Sequence, residues 1–295
     1  MLDGPYFITD SEDGLGKCFV LTSPWTDDFI DIITEEKIVA VRITEKAAGK
    51  GGDISFIEKL KDIGLLSMEI FAWSVRDLTP LTFFPGLEVL GIQCDFVKAP
   101  DFSNFSQLRI LKLIWRPKAT TVFYCSSLEE INIVNFPDED LGKLSGMTEL
   151  KRLQLTSRKL LSLSGIEFLE KLQVFDGAYC TKLRGLAGLE KCKNIQVVEL
   201  QACRKICDVS ELGELNNLKD VFLIDCGKIG SLQSLDNCGN LENLFFPGDT
   251  NILDGELTAL FEMPKLKKLT FANRRHYSHK REQFNVRDSD PTSFS

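Results

Sequence analysis

Two histidines are the first residues in this sequence that could do chemistry. His276 and His279 lie three residues apart in RRHYSHKR, a spacing that puts two imidazoles on one face of a helix. No third ligand is evident nearby, and the basic neighbours would repel a metal cation. A solvated segment is the better interpretation, so we predict no metal site.

A glycine-rich stretch, GKGGD at residues 49–53, is the next candidate. It lacks the lysine and the serine or threonine at the spacing of a phosphate-binding loop, and we interpret it as a loop before a helix in ISFIEKLKDIG. Carboxylates are many, but no motif pairs them. We therefore predict no catalytic residue, no cofactor and no small-molecule substrate, which excludes an enzyme.

Nine cysteines are a high and odd number for 295 residues. None forms a CxxC pair, so neither zinc nor a redox motif is indicated, and thiols in a reducing compartment are expected. The acidic start MLDGPYFITDSEDG lacks the basic and apolar parts of a secretion signal, and no apolar run is long enough for a membrane span. We predict a cytoplasmic protein without signal, anchor or membrane contact.

The formal net charge of −8 bears on the partner. Neutralising nucleic-acid phosphates requires a surplus of lysine and arginine, so a nucleic-acid partner is disfavoured. A basic protein partner would suit this charge, although many solvated proteins are equally acidic. Both interpretations stay open.

The elements that would position any functional side chain follow a short repeat. Similar nine-residue segments begin 20 to 25 residues apart from Leu65 onward. Self-similarity at this period is typical of a solenoid, in which each unit buries its apolar face only against its neighbours. The segments are LLSMEIFAW, LEVLGIQCD, LRILKLIWR, LEEINIVNF, LKRLQLTSR, LQVFDGAYC, IQVVELQAC, LKDVFLIDC, LENLFFPGD and LKKLTFANR, with IVAVRITEK from Ile38 as a weaker upstream copy.

These segments resemble the leucine-rich repeats, whose pattern L-x-x-L-x-L-x-x-N/C-x-L recurs about eleven times over residues 38–271. The second halves, such as VRDLTPLTFFPG and CDVSELGELNN, are similar to the short internalin-type repeats of bacteria. The resemblance implies an α/β solenoid, a horseshoe of about 10–11 repeats. Its concave side would be a parallel β-sheet and its convex side 3-10, α-helical or irregular.

The chain is expected to have three parts. Residues 1–37 lack the repeat and would form an N-terminal cap, because an open solenoid exposes apolar surface at each end. Residues 38–272 would form the repeat solenoid. Residues 273–295 are polar and would form a frayed or loosely docked tail.

Cysteines recur at fixed positions of the repeat. Cys180, Cys203 and Cys226 occupy the ninth position, and we expect an internal column of thiols. Cys192 and Cys238 share a position in the returning segment and are also expected inside. Cys94 stands at an eighth position, which should face outward and react with thiol reagents. Elsewhere the ninth position departs from the pattern and predicts less regular turns, at Asp95, Arg116, Phe136, Arg158, Asp249 and Arg274.

Residues between the leucines of each strand should face solvent, because side chains alternate with a period of two. Large apolar groups nevertheless recur there, and positive residues (Lys112, Arg116, Arg152, Arg158) precede negative ones (Asp176, Glu199, Asp220, Asp225). Exposed apolar groups beside charges are typical of protein interfaces, although β-propensity alone also favours such residues in strands. The predicted partner-binding residues are Trp115, Arg152, Asp176, Tyr179, Glu199, Asp220, Phe222, Ile224 and Phe245.

The sequence thus predicts a non-catalytic protein-binding module that uses its concave face. Small acidic repeat proteins of this kind resemble bacterial immunity proteins, which implies inhibition of a cognate toxin, often a basic one. An adaptor or regulatory subunit of a signalling or effector assembly is the alternative. An effector enzyme such as a ubiquitin ligase is disfavoured, because it would need a separate catalytic domain and the segment after Phe271 is too short for one.

Overall fold

The structure, a computed structural model, describes residues 4–284. These residues divide into two compact units, an N-terminal unit that ends at Val134 and a C-terminal unit that begins at Asn135. Within the described part of the chain, none of the helices combines the length and apolar character that crossing a bilayer requires.

The N-terminal unit is a sheet in which every strand after the first hairpin is parallel to its neighbour. Strand β1 runs antiparallel to β2, and β2 to β7 then pair in chain order. The strands are β1 Tyr6–Asp10, β2 Lys17–Leu21, β3 Ala40–Thr44, β4 Ser67–Phe71, β5 Val89–Gln93, β6 Ile110–Ile114 and β7 Glu130–Val134. Between them lie helices α1 Phe29–Glu35 and α2 Glu45–Ala48 and the 3-10 segments Ser55–Leu60, Thr79–Phe83, Phe102–Asn104 and Pro117–Tyr124.

The C-terminal unit repeats the same plan. Its strands are β8 Arg152–Thr156, β9 Val174–Ala178, β10 Val197–Gln201, β11 Asp220–Ile224, β12 Lys228–Ile229, β13 Asn243–Phe246, β14 Asn251–Ile252 and β15 Lys268–Phe271. Strands β12 and β14 pair separately, and the other six form a parallel sheet in chain order. The returns contain helix α3 Thr258–Glu262 and the 3-10 segments Gly142–Leu144, Ile166–Phe168, Leu189–Lys191, Ser210–Glu214, Gln233–Asn237 and Arg281–Gln283.

Leucine packing between successive repeats forms the core. In the repeat of β11, Leu218, Val221 and Leu223 of the strand segment are fully buried, and so is Ile229 of the return. Each such side chain contributes about 1.5–3 kcal/mol when removed from water. A single repeat has only one layer of these residues, so most of this stabilisation comes from the repeats on either side.

The predicted internal column of thiols is present. The Cys203 Sγ donates to the carbonyl of Gly177 at 3.2 Å, and the Cys226 Sγ donates to the carbonyl of Leu200 at 3.1 Å, in each case one repeat back. Hydroxyl groups continue the column in repeats that lack the cysteine. Thr250 Oγ1 donates to the carbonyl of Leu223 at 2.5 Å, and Ser157 Oγ donates to that of Phe136 at 3.0 Å.

Cys94 contradicts the expectation that it faces outward, because it is fully buried. The reason is that two kinds of turn follow the strands. In one, the eighth residue has a left-handed backbone and the ninth turns inward, as at Asn135, Tyr179, Ala202 and Asp225. In the repeats of Ala72 and Cys94 the strand alternation continues instead, so the eighth residue points into the core.

A second set of buried thiols lies three residues before a strand segment. Cys192 and Cys238 share this position, as expected, and donate to the carbonyls of Ile166 at 3.1 Å and Leu212 at 3.3 Å. Cys125 belongs to the same set and donates to the carbonyl of Phe102 at 3.1 Å. Each thiol thus adds a second donor to a carbonyl of the preceding repeat that already accepts from a backbone amide of its own turn.

Both ends of the predicted solenoid pack with aromatic rings. At the start, Tyr6 stacks on Phe19 with ring centroids 4.5 Å apart. At the end, Tyr277 is buried and its hydroxyl accepts a hydrogen bond from the Ile252 amide at 2.9 Å. The proposed part boundaries at 37/38 and 272/273 remain predictions, and residues 285–295 of the predicted tail lie outside the described residues.

We predict that Cys207 is the single fast-reacting thiol of the native protein. It is exposed, whereas the other eight cysteines are buried, and burial raises the pKa of the Cys94, Cys125 and Cys226 thiols to about 12. Titration with a thiol reagent should give one rapid equivalent, which Cys207→Ser abolishes, and the rest should react only after unfolding. Rapid modification of Cys94 or of the column thiols in the folded protein would contradict the assigned positions.

Candidate functional site

The outward side chains of the C-terminal unit form straight rows across its sheet. Along β8 to β11 the pattern is strict, each strand alternating half-buried and buried residues. The in-register pairing of the strands places one outward residue of each in a line, which we call the central row. It consists of Gln154, Asp176, Glu199, Phe222, Phe245 and Thr270.

Two phenylalanines in the central row stack on each other. The rings of Phe222 and Phe245 have centroids 5.0 Å apart and planes 5° from parallel. Both side chains are only half-buried, so they present an apolar surface to solvent. Ile224 lies on the same face of β11, two residues beyond Phe222, and extends this surface. The structure therefore brings together three of the predicted apolar site residues.

Two carboxylates precede the phenylalanines in the central row. Asp176 and Glu199 are register partners on adjacent strands, which are about 4.8 Å apart. The amide of Gln154 donates to Asp176 at 3.0 Å, which orients that carboxylate. Partial burial, with a further contribution from the charge of Asp176, raises the pKa of Glu199 above its ordinary value. The pair forms an acidic surface, and a bound cation would reduce the repulsion between its two carboxylates.

The other two predicted charged residues lie in the neighbouring row. Asp220 is two residues before Phe222 and accepts a hydrogen bond from the Asn243 amide at 2.5 Å. Arg152 is the register partner of Val174 on β9. Asp220 therefore adds a third carboxylate beside the phenylalanine pair, while Arg152 lies at the β8 end of the row.

Tyr179 stands at the strand edge in a strained backbone conformation. Its φ is +54°, and its side chain is 54% exposed. A left-handed backbone costs an ordinary residue about 1–2 kcal/mol, less for Asn and Asp, which occupy the equivalent positions at Asn135 and Asp225. The turn brings Cys180 into the core, so the strain follows from the fold, and the tyrosine ring is left at the edge of the central row.

Trp115 belongs to the N-terminal unit, so it is not part of the central row. Its indole stacks on Phe123 with centroids 5.2 Å apart, and the side chain is half-buried. Its neighbour Arg116 forms an ion pair with Asp95 and lies over the ring of Trp73. Trp115 therefore has an intramolecular packing partner, unlike the freely presented ring of Tyr179.

The outward face of the N-terminal unit does not follow the expectation of solvent exposure. Glu69, Val89 and Gly91 were expected to face solvent and are buried. Arg42 explains part of this, because its guanidinium donates to Glu69 at 2.5 Å and lies 5.1 Å from the centre of the Phe71 ring. A Cβ at Gly91 would lie 3.0 Å from the Cγ of Glu69, so that side chain would have to shift slightly to admit one. Side chains on this face therefore bury one another, and the alternation of side chains along a strand does not predict such burial.

Sites of other kinds are not indicated. Among residues 4–284, no group of three or more His, Cys, Asp or Glu side chains is placed to hold a metal ion. A cavity of about 500 Å³ in the C-terminal unit is lined by Leu232, Asp254, Leu257 and their neighbours in the returning segments. It contains none of the predicted site residues. The central row thus remains the candidate site.

Solved structures of leucine-rich repeat proteins resemble this chain in fold. The chain resembles a leucine-rich repeat protein of Leptospira interrogans, with 15% identity, a TM-score of 0.57, and coverage of 85% of this chain and 65% of that one. It also resembles the internalin InlF of Listeria monocytogenes, with 15% identity, a TM-score of 0.52, and coverage of 80% and 74%. The fold is the leucine-rich repeat solenoid. This confirms the predicted fold class.

Other comparisons limit what the leucine-rich repeat fold implies. A TDR receptor gives 16% identity and a TM-score of 0.54, and this chain spans only 45% of its length. No family model and no curated protein matches the sequence. Identities at this level show the fold alone, so residue roles must come from this chain's own geometry.

Because Tyr179 has a left-handed backbone, we predict that glycine is more stable than alanine at this position, the reverse of their usual order in a strand. With the ring removed in both, Tyr179→Gly should be more stable than Tyr179→Ala by about 0.5–1 kcal/mol, because only alanine retains the left-handed penalty. At the adjacent Ala178, which is in β9, the order should be the usual one, with Ala178→Gly less stable than wild type. Urea denaturation measures both. The same order at the two positions would show that Tyr179 is not strained.

Because the pKa of Glu199 is raised, we predict that replacing its carboxylate by a neutral group stabilises the folded protein, and that this effect depends on pH. A carboxyl whose folded pKa lies above its unfolded pKa, as the raised pKa of Glu199 does, costs stability above the folded pKa. This cost disappears as the pH falls below the unfolded pKa, about 4.3 for an ordinary glutamate. Glu199→Gln should therefore stabilise the protein at pH 7 and do so much less near pH 4. Denaturation at both values tests this, and an equal gain at the two would exclude ionisation as its cause.

Proposed function

We propose that the protein is a non-catalytic protein-binding module and that the central row of the C-terminal unit, with Asp220, Ile224 and Tyr179, is its partner site. The observation that carries the proposal is the stacked pair Phe222–Phe245, half-exposed beside three carboxylates. A fold that builds its core from leucines does not require these rings. Pairs of aromatic groups in charged surroundings are typical centres of protein interfaces.

The two kinds of side chain would contribute differently to binding. Burial of the phenylalanine pair against a partner removes apolar area from water and sets the dissociation rate. Asp176, Glu199 and Asp220 would attract a cationic partner and increase the association rate, an effect that salt screens. The site therefore suits a partner that presents lysine or arginine beside an apolar side chain.

Immunity-type inhibition of a basic bacterial toxin in the cytoplasm is the specific form of this function that we favour. The net charge of −8 and the carboxylates of the site support a basic partner. The nine free thiols suit a reducing compartment. A partner bound across the central row would be inhibited by steric blockade, which requires no chemistry from this chain.

The test begins with partners captured from the native host by the wild-type protein. Changing both Phe222 and Phe245 to alanine should weaken binding by about 2 kcal/mol or more, about 30-fold, as measured by calorimetry. The variant should remain folded, because neither ring is part of the leucine core. If the partner is a toxin, expressing it should arrest cells that carry the double variant and spare those that carry the wild type.

A matched control removes exposed apolar surface elsewhere. Leu161 and Phe168, which are 38% and 57% exposed, lie outside the central row. Changing both to alanine should leave binding unchanged. If the Phe222 and Phe245 variant binds its partner as the wild type does, or unfolds, these rings are packing groups and the proposed site is wrong.

A further inference from the structure

Four lysines of the C-terminal unit each lie directly before a fully buried core residue of a returning segment. Lys159, Lys182, Lys205 and Lys228 are each separated by 23 residues, and all four are exposed. We call them the lysine ladder. Arg158 and Arg204 directly precede two of its members and are also exposed. The ladder follows the turns at the ends of β8 to β11, on the edge of the sheet beside Tyr179.

The repeat geometry places these lysines in a line. Each is followed by a fully buried core residue (Leu160, Leu183, Ile206 and Ile229), which fixes the phase of the four segments. The segments of Lys205 and Lys228 touch, since the amide of Gly230 donates to the carbonyl of Cys207 at 2.8 Å, and Lys228 is in register with Asn251 of the next repeat on β14. Adjacent chains in such an arrangement are about 4.8 Å apart, so the ladder is a row of closely spaced positive charges.

The ladder lysines are alike in having no ion-pair partner among residues 4–284. Within the described residues none of the four forms an ion pair, and Arg204 reaches only Asp249 at 3.5 Å. Several exposed lysines elsewhere do pair with carboxylates: Lys17 with Glu36, Lys59 with Asp27, Lys98 with Asp77, Lys171 with Glu149, and Lys267 with Glu242. The chain has 43 acidic and 35 basic residues, so carboxylates are not scarce.

A row of like charges is unfavourable for the free protein, because neighbouring ammonium groups repel one another. An occupant that supplies negative charge at similar spacing would relieve this repulsion. We propose that the lysine ladder is a docking edge for an acidic segment of a partner protein. This surface is additional to the central row, and its proposal does not rest on the phenylalanine pair.

An acidic polypeptide fits the ladder better than a nucleic acid does. The net charge of −8 disfavours a nucleic acid, whose phosphates continue beyond the ladder, whereas an acidic segment of a partner protein can end with it. Lysine is a point charge that accepts carboxylates in many orientations, while the planar arginine fork is the more specific reader of phosphate. Lys182 and Lys205 follow β9 and β10, the strands that carry the carboxylates of the central row, so the two surfaces together suit a partner with both signs of charge.

The experiment measures binding of a fluorescein-labelled deca-glutamate peptide by anisotropy at low ionic strength. Changing Lys182 and Lys205 to glutamate should weaken binding at least about tenfold, and changing both to glutamine should weaken it less. The matched control changes Lys193 and Lys219 to glutamate, which alters the net charge equally at exposed positions outside the ladder. The affinity of that control variant for the peptide should fall less than about twofold. Thermal unfolding checks that all three variants fold.

Three outcomes would overturn the proposal. The wild type could fail to bind the peptide, or the control variant could lose as much affinity as the ladder variant, which would indicate a general charge effect. A single-stranded oligonucleotide could bind more tightly than deca-glutamate and be lost in the ladder variant, which would assign the edge to nucleic acid. Loss confined to the ladder variants and to the peptide supports the proposal. The Phe222 and Phe245 variant should bind the peptide normally, which separates this result from the proposed function.

Discussion

Each repeat of this protein depends on its neighbours for two things at once: a cover for its leucines and a donor for its buried carbonyls. The thiols of Cys203 and Cys226 and the hydroxyl of Thr250 each donate to a carbonyl one repeat back. An intramolecular hydrogen bond contributes about 0.5–1.5 kcal/mol, so the column stabilises the stack as well as filling it. The inward residues therefore stabilise the fold, and the outward residues are the ones available to bind a partner.

This division determines which side chains are free to vary. In β8 to β11 the inward residues are completely buried or nearly so, whereas each outward residue is half-buried. Substitutions at outward positions change little of the core, because the side chain meets only its neighbours in the row. The N-terminal unit shows the opposite case: Arg42, Glu69 and Phe71 use their outward positions for contacts with one another.

Particular residues show how far the sequence predicts this structure. The leucine period and the ninth-position cysteines are local and repeated, so fold class, strand positions and the Cys180–Cys203–Cys226 column follow from them. Cys94 was misassigned because the choice between two turns depends on the backbone of the eighth residue, which a repeat alignment does not show. Burial of Glu69 could not be anticipated, since it depends on Arg42, 27 residues away. The alignment of Phe222 with Phe245 was predictable, but not their stacking, because side-chain orientation is set by tertiary neighbours.

The two surfaces of the C-terminal unit differ in how they use the repeat. A solenoid turns any residue kept at one position into a line of identical groups, and the lysine ladder is such a line. Identical charges at regular spacing attract a partner of opposite sign but distinguish poorly between registers. The central row has the same spacing and changes at nearly every step, from amide to carboxylates to phenylalanines. A non-repeating row admits one register of a complementary partner, because a shift by one strand would place a cation on a phenylalanine or an apolar group on a carboxylate. Attraction can therefore come from the repeated positions, while specificity must come from the varied ones.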